Sequence, residues 1–317
     1  MFADKSLLKG IGYGVCAGLC WGVIFLGPQL APGLSGTQFA VLRFLCYGAI
    51  SAALLMPRWR RVCASLGKAD WQALFWLSLV GNLVYYSLVG TAVQWVGIAT
   101  TSLIVGLIPV LVTLAGRNDA NAVALPRLAP SLCCAVGGAV LISWHALVNG
   151  DSPNTWANIG GIACAAGALL TWSWYAVSNA RQLARISRVS SHDWALLAGV
   201  VTGAQSLVLA VPVLGLQAET HSPGEWLHFV LVAGGVALLC SVVGGACWNQ
   251  ASRLLPLALS GQVLVIETLA ALVFGFMWEQ RLPGGYEVAA IALLVTGVVW
   301  CLGCHRAPAH PCCSEGA

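Results

Sequence analysis

Two ionisable residues lie deep inside long apolar stretches of the sequence. Arg43 stands in the run AVLRFLCY and Glu267 in the run LVIETLAA, and no other charged residue occurs within ten positions of either. Placing such a group at the centre of a bilayer costs at least roughly 2.5–3.5 kcal/mol, so it commonly has a specific role. A guanidinium can attract a carboxylate, and a carboxyl group can bind an ammonium or a proton. The pair would suit a zwitterionic ligand, or each side chain could instead hold exposed backbone carbonyls or the other charge.

Aromatic and amide side chains form a second set of candidate binding groups within the apolar stretches. Indole and phenol rings present flat faces that can wall a cavity for apolar or cationic groups. Amides can contact a polar ligand, but they can equally join neighbouring helices by hydrogen bonds. For each aromatic ring, the alternative to a place in the cavity wall is ordinary helix packing. The residues predicted to line a cavity are Trp21, Tyr85, Trp172, Trp248, Asn249, Gln262 and Glu267.

Sequence patterns for catalysis or for cofactor binding are absent. The chain contains no His-Glu-x-x-His, no P-loop and no Gly-x-Ser-x-Gly pattern. Most of its 13 cysteines fall in apolar stretches, where a thiol behaves as a small hydrophobe. The cysteines and histidines near the C-terminus fit no familiar zinc spacing. We therefore predict no catalytic residue, no cofactor and no metal site.

The composition indicates that lipid or other helices surround most side chains. The 317 residues are 59% hydrophobic and 8% charged, and the mean hydropathy is +0.83. A soluble protein of this length would carry far more surface charge. Because helices satisfy their own peptide groups and about 20 residues cross a bilayer, the sequence predicts an all-α polytopic membrane protein. Ten spans are predicted at residues 10–28, 36–56, 70–94, 97–116, 125–145, 156–179, 192–213, 226–252, 257–278 and 284–303.

The basic residues fall almost entirely on alternate connections between these spans. Thirteen Lys and Arg residues lie on one side, and only Arg281 lies on the other. Because positively charged loops stay in the cytoplasm, both termini are predicted to be cytoplasmic. This topology accounts for the net charge of +4 without a nucleic-acid partner. Nine Trp residues near span ends, among them Trp194, are assigned to an interfacial aromatic belt.

The two halves of the chain show a weak internal repeat. A shift of 159 positions lays residues 92–144 over 251–303 without a gap. Five spans in each half would make the two copies face opposite ways, an arrangement typical of transporters. The predicted units are residues 1–145, an inverted copy at 146–303, and a cytoplasmic tail at 304–317.

Glycine and proline positions predict where helices pack closely or pivot. Gly10, Gly14, Gly18 and Gly22 recur every fourth residue and form a smooth ridge for another backbone. Gly97 and Pro256 stand at matching helix starts under the 159-residue shift, and we predict that they are hinges.

Short motifs occur in the same order as in a known transporter group. They are Trp21-Gly22, the run Ala40 to Phe44, the run Ala99 to Leu103 with Pro109, the run Pro256 to Ala258 with Ile266-Glu267, then Glu279 and Gly297-Val298-Val299. With these motifs the whole chain resembles the drug/metabolite transporter superfamily, in particular its ten-helix EamA-type members. Within that superfamily it looks nearest to bacterial amino-acid exporters, including the exporters of aromatic amino acids.

This resemblance implies a secondary transporter in a bacterial inner membrane that exports small metabolites, with amino acids as the leading substrate class. Alternating access around a cavity near the midplane is the implied mechanism. Efflux of drugs or other metabolites is the alternative within the superfamily, and a non-transporting scaffold or enzyme is the alternative of another class. Arg43 belongs to a generic motif, which favours a structural role, whereas Glu267 is expected to line the cavity. Proton coupling and facilitated diffusion both stay open.

Overall fold

The computed structural model describes residues 5–115, 125–149, 155–215, 221–255, 259–260 and 263–306. Within these ranges the backbone is helical apart from short turns, and it contains no strand. The all-α prediction is therefore confirmed for the described part of the chain.

Eight helices make up the described part of the first half and six that of the second. The first set is α1 (Lys5–Gly22), α2 (Gly27–Leu30), α3 (Gly36–Leu55), α4 (Trp59–Ala64), α5 (Lys68–Ser78), α6 (Tyr85–Val105), α7 (Ile108–Ala115) and α8 (Leu125–Asn149). The second set is α9 (Thr155–Arg185), α10 (Ser191–Leu214), α11 (Pro223–Val236), α12 (Gly245–Leu254), α13 (Val265–Glu279) and α14 (Gly285–Arg306).

Several helices begin at serine caps that satisfy free backbone N–H groups. Ser35 accepts a hydrogen bond from the backbone of Gln38 at the start of α3. Ser190 and Ser222 act in the same way at the starts of α10 and α11. Such caps fix the point at which each helix enters the bundle.

Among the described residues, six helical segments are long and apolar enough to cross a membrane. The segment Lys68–Val112 contains 45 residues, which as a straight helix would extend about 68 Å, more than twice a bilayer core. It breaks at Gly97, where φ is 80° and ψ is 170°, so it is not one straight helix. The six segments are Ser6–Leu30, Gly36–Ala64, Lys68–Val112, Thr155–Arg185, Ser191–Leu214 and Pro223–Leu254. The total of ten spans stays a prediction.

Contacts between loops show which helix ends lie together. Arg58, after α3, pairs with Asp193 at the start of α10 across 3.3 Å. Arg253, near the end of α12, donates to the carbonyl oxygen of Val189 at 2.6 Å. These connections carry many of the basic residues, and we call this side of the bundle the basic end.

The other connections meet on the opposite side. Gln94 in α6 donates to the carbonyl oxygen of Leu34 at 2.8 Å, and Gln38 in α3 donates to that of Val213 at 3.2 Å. Arg281, the basic residue predicted on this side, lies 2.6 Å from Glu279 and 2.7 Å from Glu287. Hydrogen bonding to Glu287 raises the pKa of Arg281 above its ordinary value, so its charge is retained and compensated.

Two stretches in the middle of the bundle are π-helical instead of α-helical. They are Leu79–Val84, between α5 and α6, and Ala237–Gly244, between α11 and α12. A π-helical turn leaves one residue out of the regular hydrogen-bond ladder and is common at functional sites. Both stretches adjoin the aromatic cluster described below.

The predicted glycine ridge packs as a close helix contact. A Cβ atom at Gly18 would lie 3.0 Å from the backbone nitrogen of Glu267, and one at Gly22 would lie 2.5 Å from the Cβ of Ala270. Only glycine leaves room for α1 and α13 to approach this closely. The ridge therefore sets the position of Glu267 beside α1.

One assignment made from the sequence is wrong. Trp194 lies near a helix start, but it is 1% exposed, and its Nε1 donates to Asn179 Oδ1 at 2.9 Å. It is therefore part of the core and not of an interfacial belt. Trp144 and Trp156 are 65% and 80% exposed, as a lipid-facing ring near a helix end would be.

Candidate functional site

Three indole rings from different helices meet at the centre of the bundle. The ring centroids of Trp21 in α1 and Trp172 in α9 are 5.5 Å apart, and each lies within 5.6 Å of Trp248 in α12. Tyr85, at the start of α6, packs 6.1 Å from Trp172. Edge-to-face and tilted contacts at these separations are favourable ring geometries. We call Trp21, Tyr85, Trp172 and Trp248 the aromatic cluster.

The polar atoms of this cluster are only partly satisfied. Trp21 Nε1 donates to the carbonyl oxygen of Cys240 at 2.8 Å, within the second π-helical stretch. The Nε1 of Trp248 and the hydroxyl of Tyr85 are buried and have no hydrogen-bond partner in the described structure. A buried polar group without a partner costs roughly 1–3 kcal/mol. Neither residue is among the described residues that line the central cavities.

Arg43 lies beside the aromatic cluster and is 2% exposed. Its Nη2 donates to Ser241 Oγ at 2.8 Å, and its Cζ lies 4.1 Å from the ring centroid of Tyr86. The ring of Phe44 is 4.8 Å away on α3. The Nε of Arg43 has no partner among the described atoms. The cation is thus stabilised by ring faces and one hydroxyl, with one donor left free.

Glu267 lies in the same core, close enough to Tyr85, Tyr86 and Cys240 to interact with them electrostatically. It is 4% exposed, and no hydrogen bond or ion pair joins its carboxyl group to another described residue. It lies in the first turn of α13, against the glycine ridge of α1. The carboxyl group is therefore enclosed by closely packed helices without a counter-charge at contact distance.

A network of hydrogen bonds closes the bundle towards the basic end. Asn179 Nδ2 in α9 donates to Asn249 Oδ1 in α12 at 2.9 Å. Asn249 Nδ2 in turn donates to the carbonyl oxygen of Ser191 at 3.4 Å, and Trp194 donates to Asn179 as described above. Tyr47 adds a hydrogen bond from its hydroxyl to the carbonyl oxygen of Ala195 at 2.6 Å. Together these bonds tie α3, α9, α10 and α12.

A cavity of about 40 Å³ lies between the aromatic cluster and this network. Binding pockets for small molecules usually measure about 300–1,000 Å³, so the cavity must widen before it can admit a metabolite. Arg43 is the one charged side chain among the described residues that line it. Those residues include Trp21, Arg43, Tyr47, Asn82, Tyr86, Trp172, Tyr175, Asn179, Trp194, Ser241 and Asn249.

A second cavity of about 10 Å³ lies towards the opposite end. Arg43 and Tyr86 line both cavities, while Pro28 and Phe39 line only the second. The stacked guanidinium and phenol therefore separate the two cavities. Both cavities are too small to hold a metabolite.

Comparisons with known proteins identify the family. A family model described as the EamA-like transporter family matches residues 8–144. "Inner membrane protein YtfF" from Escherichia coli (strain K12) is 33% identical over 305 residues, which covers 92% of this chain and 94% of that protein. The chain belongs to the EamA-like transporter family.

A solved structure agrees with this EamA-like fold over nearly the whole chain. The protein, described only as "Crystal structure of protein", has a TM-score of 0.62 and 19% sequence identity. The match covers 96% of this chain and 99% of the other. At this identity the likeness concerns the fold alone.

Several of the residues predicted from the sequence meet at the centre of this EamA-like bundle. Trp21, Tyr85, Trp172 and Trp248 form the aromatic cluster, and Arg43 borders it. Asn249 belongs to the network at the basic end and also lines the larger cavity, whereas Tyr85 and Trp248 are not among its described lining residues. Glu267 is buried against α1 and is not among the described residues that line the larger cavity.

The remaining predictions concern the hinges and one amide. Gly97 does stand at a break in the helix, but its role as a hinge stays a prediction. Pro256 and Gln262 lie outside the described residues.

Sequence reasoning missed several residues that the fold brings to the site. Asn179 and Ser241 contact Asn249 and Arg43 from segments that are far away in the sequence. Tyr47 and Trp194 complete the network. An available signal was the amide side chain of Asn179, one turn after Tyr175 in α9.

Proposed function

We propose that this EamA-like transporter exports amino acids by alternating access. The observation that carries this proposal is the central cavity, in which aromatic rings surround a single described charge, the guanidinium of Arg43. A free Nε–H on a buried guanidinium is suited to a substrate carboxylate. The flat faces of Trp21 and Trp172 are suited to an apolar or aromatic side chain.

Efflux of hydrophobic cations is the second candidate, and the aromatic cluster is the observation that favours it. Three indole faces can attract an organic cation. Arg43, however, borders the same cavity and would repel a cation through surroundings of low polarity. Competition between amino acids and hydrophobic cations separates the two candidates.

We propose that the two inverted five-helix halves move relative to each other during transport. The 159-residue shift lays the π-helical stretch Leu79–Val84 over residues 238–243, inside the second stretch Ala237–Gly244. It also lays the helix break at Gly97 over Pro256. The matching positions of the two π-helical stretches support the proposed repeat. We propose that the halves pivot there, and that opening at one end accompanies closure at the other.

The membrane and its orientation follow from the charge distribution and from the relative. YtfF is described as an inner membrane protein, and we propose the same location for this chain, with several crossings. The connections at the basic end would face the cytoplasm, together with both termini. Substrate would then enter past the network of Asn179, Trp194 and Asn249.

Glu267 is proposed as the residue that binds and releases the proton that couples transport to a pH gradient. An enclosed carboxyl group without a contacting counter-charge is more stable when it is protonated. If its charge changes during the transport cycle, a pH gradient would drive export. If its charge does not change, transport would be facilitated diffusion through the same cavity.

The test is flux of labelled amino acids, including aromatic ones, into proteoliposomes that contain the purified protein. We expect saturable flux that unlabelled amino acid competes and that responds to an imposed pH gradient. Glu267→Gln should abolish the response to the gradient. An unchanged response in this variant would show that Glu267 does not couple protons, while flux that ignores the gradient in the parent protein would indicate facilitation.

Two controls keep this experiment interpretable. Empty liposomes measure leakage, and the exposed substitution Arg181→Gln tests whether any change in charge alters flux. Failure of every amino acid to exceed the leak would remove this substrate class and leave drugs or other metabolites as the substrates.

A further inference from the structure

A wide groove lies on the outside of the bundle at its basic end. It has a volume of about 660 Å³, far more than the central cavity. A single 3₁₀ turn, Met56–Arg58, which contains Pro57, joins α3 to α4, and the groove lies between this turn and the side of α10. Its lining residues are Ala52, Met56, Pro57, Trp59, Arg60, Arg61 and Val200.

The groove has an apolar wall on its membrane side. Ala52 in α3 and Val200 in α10 belong to spanning segments, and Met56 is 73% exposed. Exposed side chains on such segments would face hydrocarbon in a bilayer. Trp59 is 39% exposed and lies at the end of the span, where indole rings prefer the level of the lipid headgroups.

The other wall of the groove is positively charged. Arg58 is neutralised by Asp193 at 3.3 Å, but Arg60 and Arg61 are exposed and have no acidic partner among the residues described. The described lining contains no Asp or Glu. Two adjacent guanidinium groups beside an apolar channel therefore attract a molecule that carries both an anionic group and a hydrocarbon chain.

We propose that this groove binds one anionic phospholipid. The phosphate would contact Arg60 and Arg61, and an acyl chain would lie along Ala52, Met56 and Val200. Arginine is well suited to a phosphate because its fork donates two parallel hydrogen bonds. The site is separate from the central cavity and does not depend on the substrate that the protein carries.

Native mass spectrometry of the detergent-purified protein tests the proposal. The probes are phosphatidylglycerol, which is anionic, and phosphatidylethanolamine, which is zwitterionic. We expect the parent protein to retain one phosphatidylglycerol in preference to phosphatidylethanolamine. The double variant Arg60→Gln/Arg61→Gln should lower this retention about tenfold or more, since each basic residue contributes a substantial part of the attraction.

The matched control is Arg181→Gln/Arg188→Gln, which removes the same charge from exposed positions at the same end, outside the groove. The control should retain phosphatidylglycerol as the parent does. Equal loss in both double variants would show only a general effect of charge and would overturn the site. Equal retention of the two lipids by the parent would overturn its preference for an anionic headgroup.

Three further measurements distinguish other occupants. Excess inorganic phosphate should leave the lipid bound, and displacement by phosphate alone would mean that the site takes a soluble anion. A brominated acyl chain on phosphatidylglycerol should quench fluorescence in the parent more than in Trp59→Phe. Identical quenching in the parent and in Trp59→Phe would place the acyl chain elsewhere. A dimer of the protein that forms only when Arg60 and Arg61 are present would assign the groove to a second copy of the chain.

Discussion

The buried guanidinium of Arg43 is the single group whose loss should affect transport most. Arg43→Gln removes the hydrogen bond to Ser241 and the contact with the Tyr86 ring. It also removes the donor that we propose for the substrate carboxylate. A hydrogen bond to a charged group contributes roughly 1.5–3 kcal/mol, so we expect initial transport rates to fall about tenfold or more. Rates in proteoliposomes measure this effect, and thermal unfolding in detergent reports whether the variant folds.

Ser241→Ala and Arg43→Lys distinguish a role of Arg43 in substrate binding from a role in structure alone. Ser241→Ala removes one partner of Arg43 and leaves the charge in place, so it should lower the rate much less than Arg43→Gln. Arg43→Lys keeps the charge without the planar fork and should retain intermediate activity with a raised KM. If Arg43→Lys and Arg43→Gln lower stability and rate in parallel, the residue acts only through structure.

Asn249 should stabilise the bundle through its two hydrogen bonds. Asn249→Ala would leave the Nδ2 of Asn179 without its partner, and a buried unsatisfied donor costs roughly 1–3 kcal/mol. We expect a lower midpoint of thermal unfolding. Gln205→Ala, which alters an exposed hydrogen bond to the carbonyl oxygen of Phe75, is the matched control and should shift the midpoint little. Equal shifts of the unfolding midpoint in Asn249→Ala and Gln205→Ala would show that the buried network stabilises the protein no more than an exposed hydrogen bond does.

Sequence alone identified these polar residues only in part. Arg43, Glu267 and Asn249 stand out because polar groups inside apolar stretches are costly. Their partners do not stand out, since Ser241 lies 198 positions from Arg43 and no periodicity within one helix encodes such a contact. Trp194 illustrates the limit, because position near a helix end cannot distinguish a ring in lipid from a ring turned towards the core.

Close packing between α3 and α10 makes their facing glycines irreplaceable. A Cβ atom at Gly48 would lie 2.6 Å from the Cα of Gly203. Gly48→Ala should therefore force the helices apart and lower the unfolding midpoint and the yield of folded protein. Gly234→Ala in α11 is the matched control, because a Cβ there meets no atom within 4 Å. It should be neutral or slightly stabilising through helix propensity.

Substitution of Gly97 measures the energetic cost of its backbone conformation alone, because an added side chain would make no steric contact. Its φ of 80° lies in the left-handed half of conformational space, yet a Cβ atom there would meet nothing within 4 Å. Gly97→Ala should cost about 1–3 kcal/mol through backbone strain alone. Thermal unfolding measures this cost, and an unchanged midpoint would mean that the helix break relaxes easily. A larger loss of transport than of stability would support the proposed hinge.

Hydrophobicity predicted the helices better than their irregularities. The second predicted span, residues 36–56, nearly coincides with α3 at Gly36–Leu55. The π-helical stretches Leu79–Val84 and Ala237–Gly244 were not predicted, because apolar residues look alike whether the helix is regular or has an extra residue in one turn. The break at Gly97 was predicted, since glycine is a recognisable signal for such a turn.

The distribution of charge between the two ends should fix the orientation of the protein as a whole. The loop around Arg188 lies at the basic end, and Arg281 at the opposite end is paired with Glu279 and Glu287. A reporter enzyme that is active only outside the cytoplasm should therefore be inactive when inserted after Arg188 and active when inserted after Leu282. Positive charge in short loops is a strong barrier to translocation, so the opposite pattern would require the reverse orientation and would turn the proposed exporter's cytoplasmic entrance outwards.

A variant with Arg181, Arg185 and Arg188 changed to Gln should show mixed reporter activity if these charges hold the second half in place, and an unchanged pattern would assign the orientation to the remaining basic loops.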